Sequence, residues 1–277
     1  MDAVLPDYSN PPVVEVVTAV QFEPLKNLST PQIGLLWSEF RDRFPQIEEH
    51  PPLDPMIERF DARKPHRPNV RIEMMDRPPV PRCWFLNESG NELVQVQQDR
   101  FVHNWRKVGD DDEYPRYEHV RDTFSRELET FERFLHRENI GGLNPNQCEL
   151  TYVNHIPRQG RPGDLNLVLT LLNTEYSESF LPDLEEVRLS GSYVIPDEQN
   201  QPLGRLRFSC HSAYSVKDDQ PIFQLNLVAR GRPDGDGQAG VIRFMNTGRL
   251  WIVRGFTAIT TRDMHSLWGR RDDRTSV

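Results

Sequence analysis

YEHVRDTFSRELETFERFLHREN, residues 117–139, decides the architecture of this chain. Tyr117, Val120, Phe124, Leu128, Phe131 and Leu135 recur every three or four residues, the apolar stripe of an amphipathic helix. Asp122 with Arg126, and Glu129 with Arg133, are spaced to pair on its outer face, and Gly141-Gly142 supply the stop. A stripe this wide needs a layer to cover it.

Upstream lies that layer. Period-two segments at 82–87 (RCWFLN), 92–98 (ELVQVQQ) and 100–107 (RFVHNWRK), with a turn at Glu88-Ser89-Gly90-Asn91, predict an antiparallel meander, and 69–75 (NVRIEMM) reads as a further strand. Val13–Phe22 (VVEVVTAVQF) reads as a strand at or near the sheet centre, with Pro11-Pro12 blocking its N-terminal extension. A helix follows, with Thr30 as N-cap, Pro31 in the first turn, and Ile33, Leu36, Trp37, Phe40 and Phe44 on one face before Pro45. Residues 45–81 hold nine of the 23 prolines, yet Met56, Ile57, Phe60, Val70, Ile72 and Met74 make them too apolar for a disordered linker. They predict an extended, packed excursion.

Downstream of Asn144-Pro145 the pattern restarts. A strand at 148–156 precedes Leu165, Val168, Leu169, Leu172 and Tyr176 at helical spacing. Strands at 186–195, 204–214 and 222–230 follow, then a glycine-rich loop and a helix over 238–254 that buries Val241, Phe244, Met245, Gly248, Ile252 and Gly255. Thr260 and Asp263 suggest a capping box for a short terminal helix bearing Met264, Leu267 and Trp268. The fold class is therefore α+β: antiparallel sheet with long packing helices, in two similar halves. Residues 1–144 read βαββββα and 145–277 read βαβββα plus the short helix, as two units or one integrated domain; the likeness rests on element order alone.

The 277 residues are 36% apolar and 27% charged, and 33 Lys+Arg against 42 Asp+Glu give a net charge of −9. A chain this long buries a sizeable core without a metal or disulfide. Its apolar stretches, such as Val168-Leu169 and Leu171-Leu172, fall far short of the roughly 20 residues that span a bilayer, so no membrane partner is expected. The N-terminus has neither a basic start nor an apolar run, which argues against a signal peptide and for a cytoplasmic location. Cys83, Cys148 and Cys210 are odd in number and widely spaced, the usage of buried small hydrophobes rather than of a disulfide framework or zinc knuckle.

Several segments together carry a resemblance: PPVVEVVTAVQFEPL, YPRYE, RCWFLN, ELVQVQQDRFVHNWR, CELTYVNHI and FTAITTRDMHSLWG. Over nearly its whole length the chain resembles a family of sporadically distributed bacterial proteins of about this size. The resemblance implies a bacterial cytoplasmic protein and brings no activity or catalytic residue with it.

Charge is uneven along the chain. Residues 203–277 hold 12 Lys+Arg against seven Asp, a net +5, which leaves −14 on residues 1–202. Such a segment either faces an acidic partner such as nucleic acid or pairs with acids of its own fold. Overall acidity disfavours nonspecific nucleic-acid binding.

Motifs for chemistry are missing. There is no GxxxxGK[ST] and no GxSxG. The eight histidines (50, 66, 103, 119, 136, 155, 211 and 265) form no HExxH, HxxxH or HxH pair. Asp234 and Asp236 sit in the glycine-rich loop, but Met245 stands where a calcium loop needs its bidentate glutamate. No catalytic residue, metal or cofactor is called for.

What remains is a set of long hydrogen-bonding side chains alternating with apolar ones on the strands: Gln95, Gln97, Asn104, Arg106, His155, Arg205, Arg207, His211, Gln224 and Asn226, with Ser209. Combined on one side of a continuous sheet they would make a binding platform; separately they would be ordinary solvated faces. Asn154 and His155 cannot both belong to it, and Phe101, His103 and Trp105 have the opposite phase and are expected in the core. The reading that follows is a non-enzymatic binding or regulatory protein with a protein partner, in a toxin-antitoxin or phage-defence setting suggested by the sporadic distribution of the family. The alternatives are a small-molecule receptor or enzyme with a pocket between sheet and helices, and a nucleic-acid saddle built on the arginine-rich last third.

Overall fold

Five valines in the ten residues Val13–Phe22 make a strand that occupies the centre of a nine-stranded sheet. β-branched side chains favour extended backbone and pack well on both faces of a pleat. The computed structural model describes residues 5–60, 79–158, 162–171 and 186–271. In chain order its elements are β1 (Asp7–Tyr8), β2 (Val13–Phe22), α1 (Thr30–Trp37), β3 (Gln46–His50), β4 (Arg82–Leu86), β5 (Glu92–Gln97), β6 (Arg100–Arg106) and α2 (Tyr117–Arg137). Then come β7 (Pro145–Pro157), a 3₁₀ turn (Pro162–Leu167), β8 (Arg188–Pro196), β9 (Pro202–Tyr214), β10 (Pro221–Gly231), α3 (Gly237–Ile259), α4 (Arg262–Leu267) and β11 (Arg270–Arg271).

The sheet order is β3-β4-β5-β6-β2-β7-β10-β9-β8, antiparallel throughout, and β1 pairs separately with β11. Strand β2 pairs with β6 on one side and β7 on the other, so segments from before and after residue 144 meet at the sheet centre. The first strand of each segment lies beside its last, β2 beside β6 and β7 beside β10. Short connections between sequential strands favour that arrangement with or without duplication.

Both long helices cover the same face. Helix α2 packs on β2 and β6, α3 packs on β7, β10 and β9, and the two helices adjoin. The α2 stripe is buried as its periodicity predicts, and Phe134, Thr123 and Glu127 are buried with it. Phe101 of β6 stacks on Phe131 with ring centroids 5.2 Å apart. Each buried Phe contributes about 1.5–3 kcal/mol by removal from water. Helix α3 lies close to the sheet because Gly248 and Gly255 face it: a Cβ at 255 would stand 2.6 Å from Leu206 and one at 248 would stand 3.1 Å from Ala229. The three cysteines are buried and free, and burial pushes the Cys210 thiol up to about 12.

Local details depart from expectation where a neighbour competes. Helix α1 starts one residue earlier, with Ser29 as N-cap, and ends at Trp37. The Ser38 hydroxyl donates to Leu35 O at 2.6 Å, and tight turns carry the chain on, so that Phe40 and Phe44 are still buried. On α2 the anticipated i,i+4 pairs do not form; Arg126 and Arg133 donate instead to Thr123 and Thr130, each at 3.0 Å. Asn139 (φ 53), not a glycine, takes the left-handed position after α2, where Ile140 N bonds Leu135 O and Asn139 N bonds His136 O. Helix α3 continues to Ile259, which makes Thr260 its C-cap and moves the cap of α4 to Thr261, whose side chain accepts from Met264 N. Where a helix was expected from Leu165, the chain makes a 3₁₀ turn, and Leu169 then bridges to Thr260 in a short antiparallel contact. Leu172 and Tyr176 of that expected helix, and the strand expected at 69–75, lie outside the described residues. Among the described residues no helix is long and apolar enough to cross a membrane.

Candidate functional site

Alternation along a strand sends every second side chain to the face away from the helices. Register then carries that parity across the sheet: Gln95 lies opposite Val102, Val102 opposite Ala19, Ala19 opposite Glu149, Glu149 opposite Arg230 and Arg230 opposite Arg205. Gln97, Asn104 and Arg106 share this phase on β5 and β6, His155 on β7, Gln224 and Asn226 on β10, and Arg207 and His211 on β9. All ten polar residues singled out in the sequence therefore occupy one face of one continuous sheet. Asn154 points the other way and is buried, as are Phe101, His103 and Trp105.

On that face the ten divide by what they touch. Gln95 and Asn104 form a buried amide chain: Gln95 accepts from Arg82 at 3.1 Å and donates to Asn104 at 2.7 Å, and Asn104 donates to Glu15 at 2.7 Å. Arg106 is turned away to the 88–91 turn, where its Nε donates to Gly90 O at 2.8 Å. His155, His211, Gln224 and Asn226 form a half-buried patch at the far end of β7, β9 and β10, with Gln224 opposite both histidines. Burial holds the His155 imidazole below its usual range, partly offset by its hydrogen bond to Gln224.

Gln97, Arg205 and Arg207 do something else: they hold a piece of the same chain. After β3, residues 51–60 cross the sheet from strand to strand, meeting β5, β6, β2, β7, β10 and β9 in that order. No β-ladder satisfies this segment, and side chains take over that role. Gln97 brackets Leu53, accepting from its N at 3.0 Å and donating to its O at 3.0 Å. Gln21 accepts from Met56 N at 2.9 Å and Gln147 accepts from Glu58 N at 3.1 Å. Arg100 donates to Gln21 at 2.9 Å and to Asp54 O at 3.0 Å.

The strap ends in a charge cluster. The Glu58 side chain is only 3% exposed. Arg207 grips it with two bonds, at 2.9 and 2.8 Å, Arg205 donates at 2.6 Å, and Arg230 stands 3.9 Å away while pairing with Glu149. Arg205 also donates to Arg59 O at 2.9 Å and lies 4.3 Å over the Phe60 ring. Burial alone would raise the Glu58 carboxyl, but the bonds and charges of Arg207 and Arg205 outweigh it and hold it below its ordinary value. A cavity of about 180 Å³ remains between strap and sheet beside Gln21, Met56, Arg100 and Glu149. An open depression of about 380 Å³ lies beside it, lined by Ser190, Ser192, Arg207, Ser209 and Asn226.

The uneven charge along the sequence has its structural counterpart here. Arg205, Arg207, Arg230 and Arg232 meet Glu58, Glu149 and Asp197, all acids from before residue 203. Sequence reasoning missed Gln21, Gln147 and Glu58. The two glutamines share the phase of the platform on β2 and β7 and were legible by parity; Glu58 lies in a segment with no periodicity to read. No protein-family model and no curated protein matches this chain.

Proposed function

We propose that this protein works by binding and that the polar sheet face receives an extended, acidic stretch of polypeptide. One observation carries the reading: residues 53–58 already lie there as such a stretch, their backbone caught by Gln97, Gln21 and Gln147 and their one buried carboxylate by Arg205, Arg207 and Arg230. Recognition of backbone by amides and of one carboxylate by an arginine fork is general enough to accept another chain of the same pattern. The strap then acts as a tethered competitor, at the millimolar effective concentration typical of short linkers.

The nucleic-acid alternative has weaker support, because the arginines it needs are engaged by carboxylates, which would have to be displaced before phosphate contacts formed. A pocket-based small-molecule or enzymatic reading would draw on His155 and His211, which flank Gln224 on the sheet and have no carboxylate partner among the described residues.

The test uses the full chain carrying Glu58→Ala and a fluorescein-labelled peptide, PPLDPMIERF, with the sequence of residues 51–60. Fluorescence anisotropy should show the peptide binding the variant more tightly than the unaltered chain. A peptide with alanine in place of its glutamate should bind at least about tenfold more weakly, for loss of the charge-assisted bonds. A folded Glu58→Ala chain that does not distinguish the two peptides would refute the proposal.

A further inference from the structure

On the opposite, helix-bearing side of the sheet, Arg249 of α3 projects into a cleft between β1, β2 and β7. Its guanidinium lies 5.6 Å over each of the Tyr117 and Tyr152 rings. It is half-buried and makes no hydrogen bond or ion pair with any described residue. Asp7, on the cleft wall, is paired with Arg116, while Glu118 is exposed and forms no ion pair with Arg249. Burial pushes the Tyr114, Tyr117 and Tyr152 phenols up, so these three remain neutral and supply no counter-charge. A cation drawn partly out of water with no acceptor leaves strong donors unused.

Two further features converge there. Tyr114 and Tyr152 share one hydroxyl–hydroxyl bond of 2.8 Å, which uses one of their two hydroxyl hydrogens and leaves the other to donate. Arg116 lines the same cleft with φ 72 and ψ 157, backbone territory that is essentially glycine's. Its guanidinium offsets that strain by gripping the β1 segment, through Tyr8 O at 2.9 Å, Asp7 at 3.2 Å and Ser9 O at 3.4 Å, and so sets that segment as the outer wall. The cavity is about 40 Å³, room for about three waters. Asn154, whose amide nitrogen donates to Leu225 O at 2.9 Å, lines it too, and Leu227, Ile252, Val253 and Phe256 give it an apolar side.

We infer that this cleft binds a small monocarboxylate with a short apolar arm. The planar carboxylate matches the fork of Arg249, with the free tyrosine hydroxyl as a further donor and the apolar walls against the arm. A phosphate dianion would need more donors than one guanidinium and one hydroxyl hydrogen provide. This site is independent of the strap and its platform, which lie on the other face.

Saturation-transfer NMR on the full chain with sodium butyrate, butan-1-ol, butylammonium and inorganic phosphate tests it. Butyrate should bind saturably and the alcohol and amine should not, and Arg249→Gln should weaken butyrate at least about tenfold. Arg249→Lys, which keeps the charge and loses the fork, should fall between. Butan-1-ol binding as well as butyrate, phosphate binding more tightly, unchanged affinity in Arg249→Gln, or no saturation below about 100 mM would each overturn the inference. Because the ligand series is run on the unaltered chain, it decides the charge requirement even if the variant does not fold.

Discussion

Glu58 and Arg249 are both charges withdrawn from water, on opposite faces of the sheet, and their surroundings are reversed. Glu58 is one carboxylate with three arginines around it; Arg249 is one guanidinium among three neutral tyrosines, with no carboxylate in contact among the described residues. The first is a closed account, in which desolvation is offset by short charge-assisted bonds. The second lies against ring faces, worth about 0.5–2 kcal/mol each, and the Glu118 carboxylate attracts it without forming an ion pair. A satisfied cluster reports on how the chain holds itself, and an unsatisfied one reports on what else it can hold.

The largest effect expected from breaking this contrast is at Glu58. Glu58→Ala leaves Arg205 and Arg207 without their acceptor and frees the strap, at a cost of about 2–3 kcal/mol, reduced from the value for a fully buried pair because Arg207 rehydrates. Urea denaturation of both proteins measures it. The gap between them should also depend on pH. The folded-state carboxyl sits below its ordinary value of 4.5, so its stabilisation is complete above that pH and is lost as pH falls through the lowered folded-state value. The two unfolding midpoints should therefore approach one another in acid; a gap of constant size from neutral pH down through that range would mean that the cluster does not stabilise the fold.

A smaller loss is expected where the strap is held by an amide. Gln21→Ala removes the acceptor of both Met56 N and Arg100, for about 1–2 kcal/mol in the same denaturation assay. Hydrogen exchange sharpens the result, since the Met56 amide should lose protection in this variant while the amides of α2 keep theirs. The smallest change is predicted for Arg249→Met. Replacing an unpaired cation by an apolar side chain of similar reach should leave stability within about 1 kcal/mol. A loss as large as that of Glu58→Ala would show that Arg249 is structural and would remove the contrast.

His103 lies between these extremes. Fully buried beneath α2, its Nδ1 bonds Glu127 at 2.7 Å, Glu127 bonds Arg43 at 3.1 Å, and its Nε2 has no partner among the described residues. Its strand phase identified it as core, and that is where it lies. The phase could not disclose a buried carboxylate beside it, because Glu127 reads by its residue type as part of the solvated face of α2.

Much of the fold was legible in this way. β2 has its predicted limits, α2 and α3 bury the predicted stripes, and alternation assigned each polar strand residue to a face. These are local properties, set by periods of 2 and 3.6 residues along a single element. Helix caps were less legible: Ser29 replaced Thr30 and Thr261 replaced Thr260, each a shift of one residue decided by the neighbouring turn or helix.

By itself, then, the sequence determined which elements form, which side of each is apolar, and that the ten polar residues alternate with the core. Tertiary structure alone decided that strands from both sides of residue 144 join one sheet, which puts those ten residues on one face. It also decided that Glu58 is lodged under Arg205, 147 residues away in sequence, and that Arg249 has no ion-pair partner among the described residues. The physical reason is that periodicity specifies a face within an element, whereas partnership between distant elements depends on register and on the path of irregular chain, and neither leaves a repeating pattern to read.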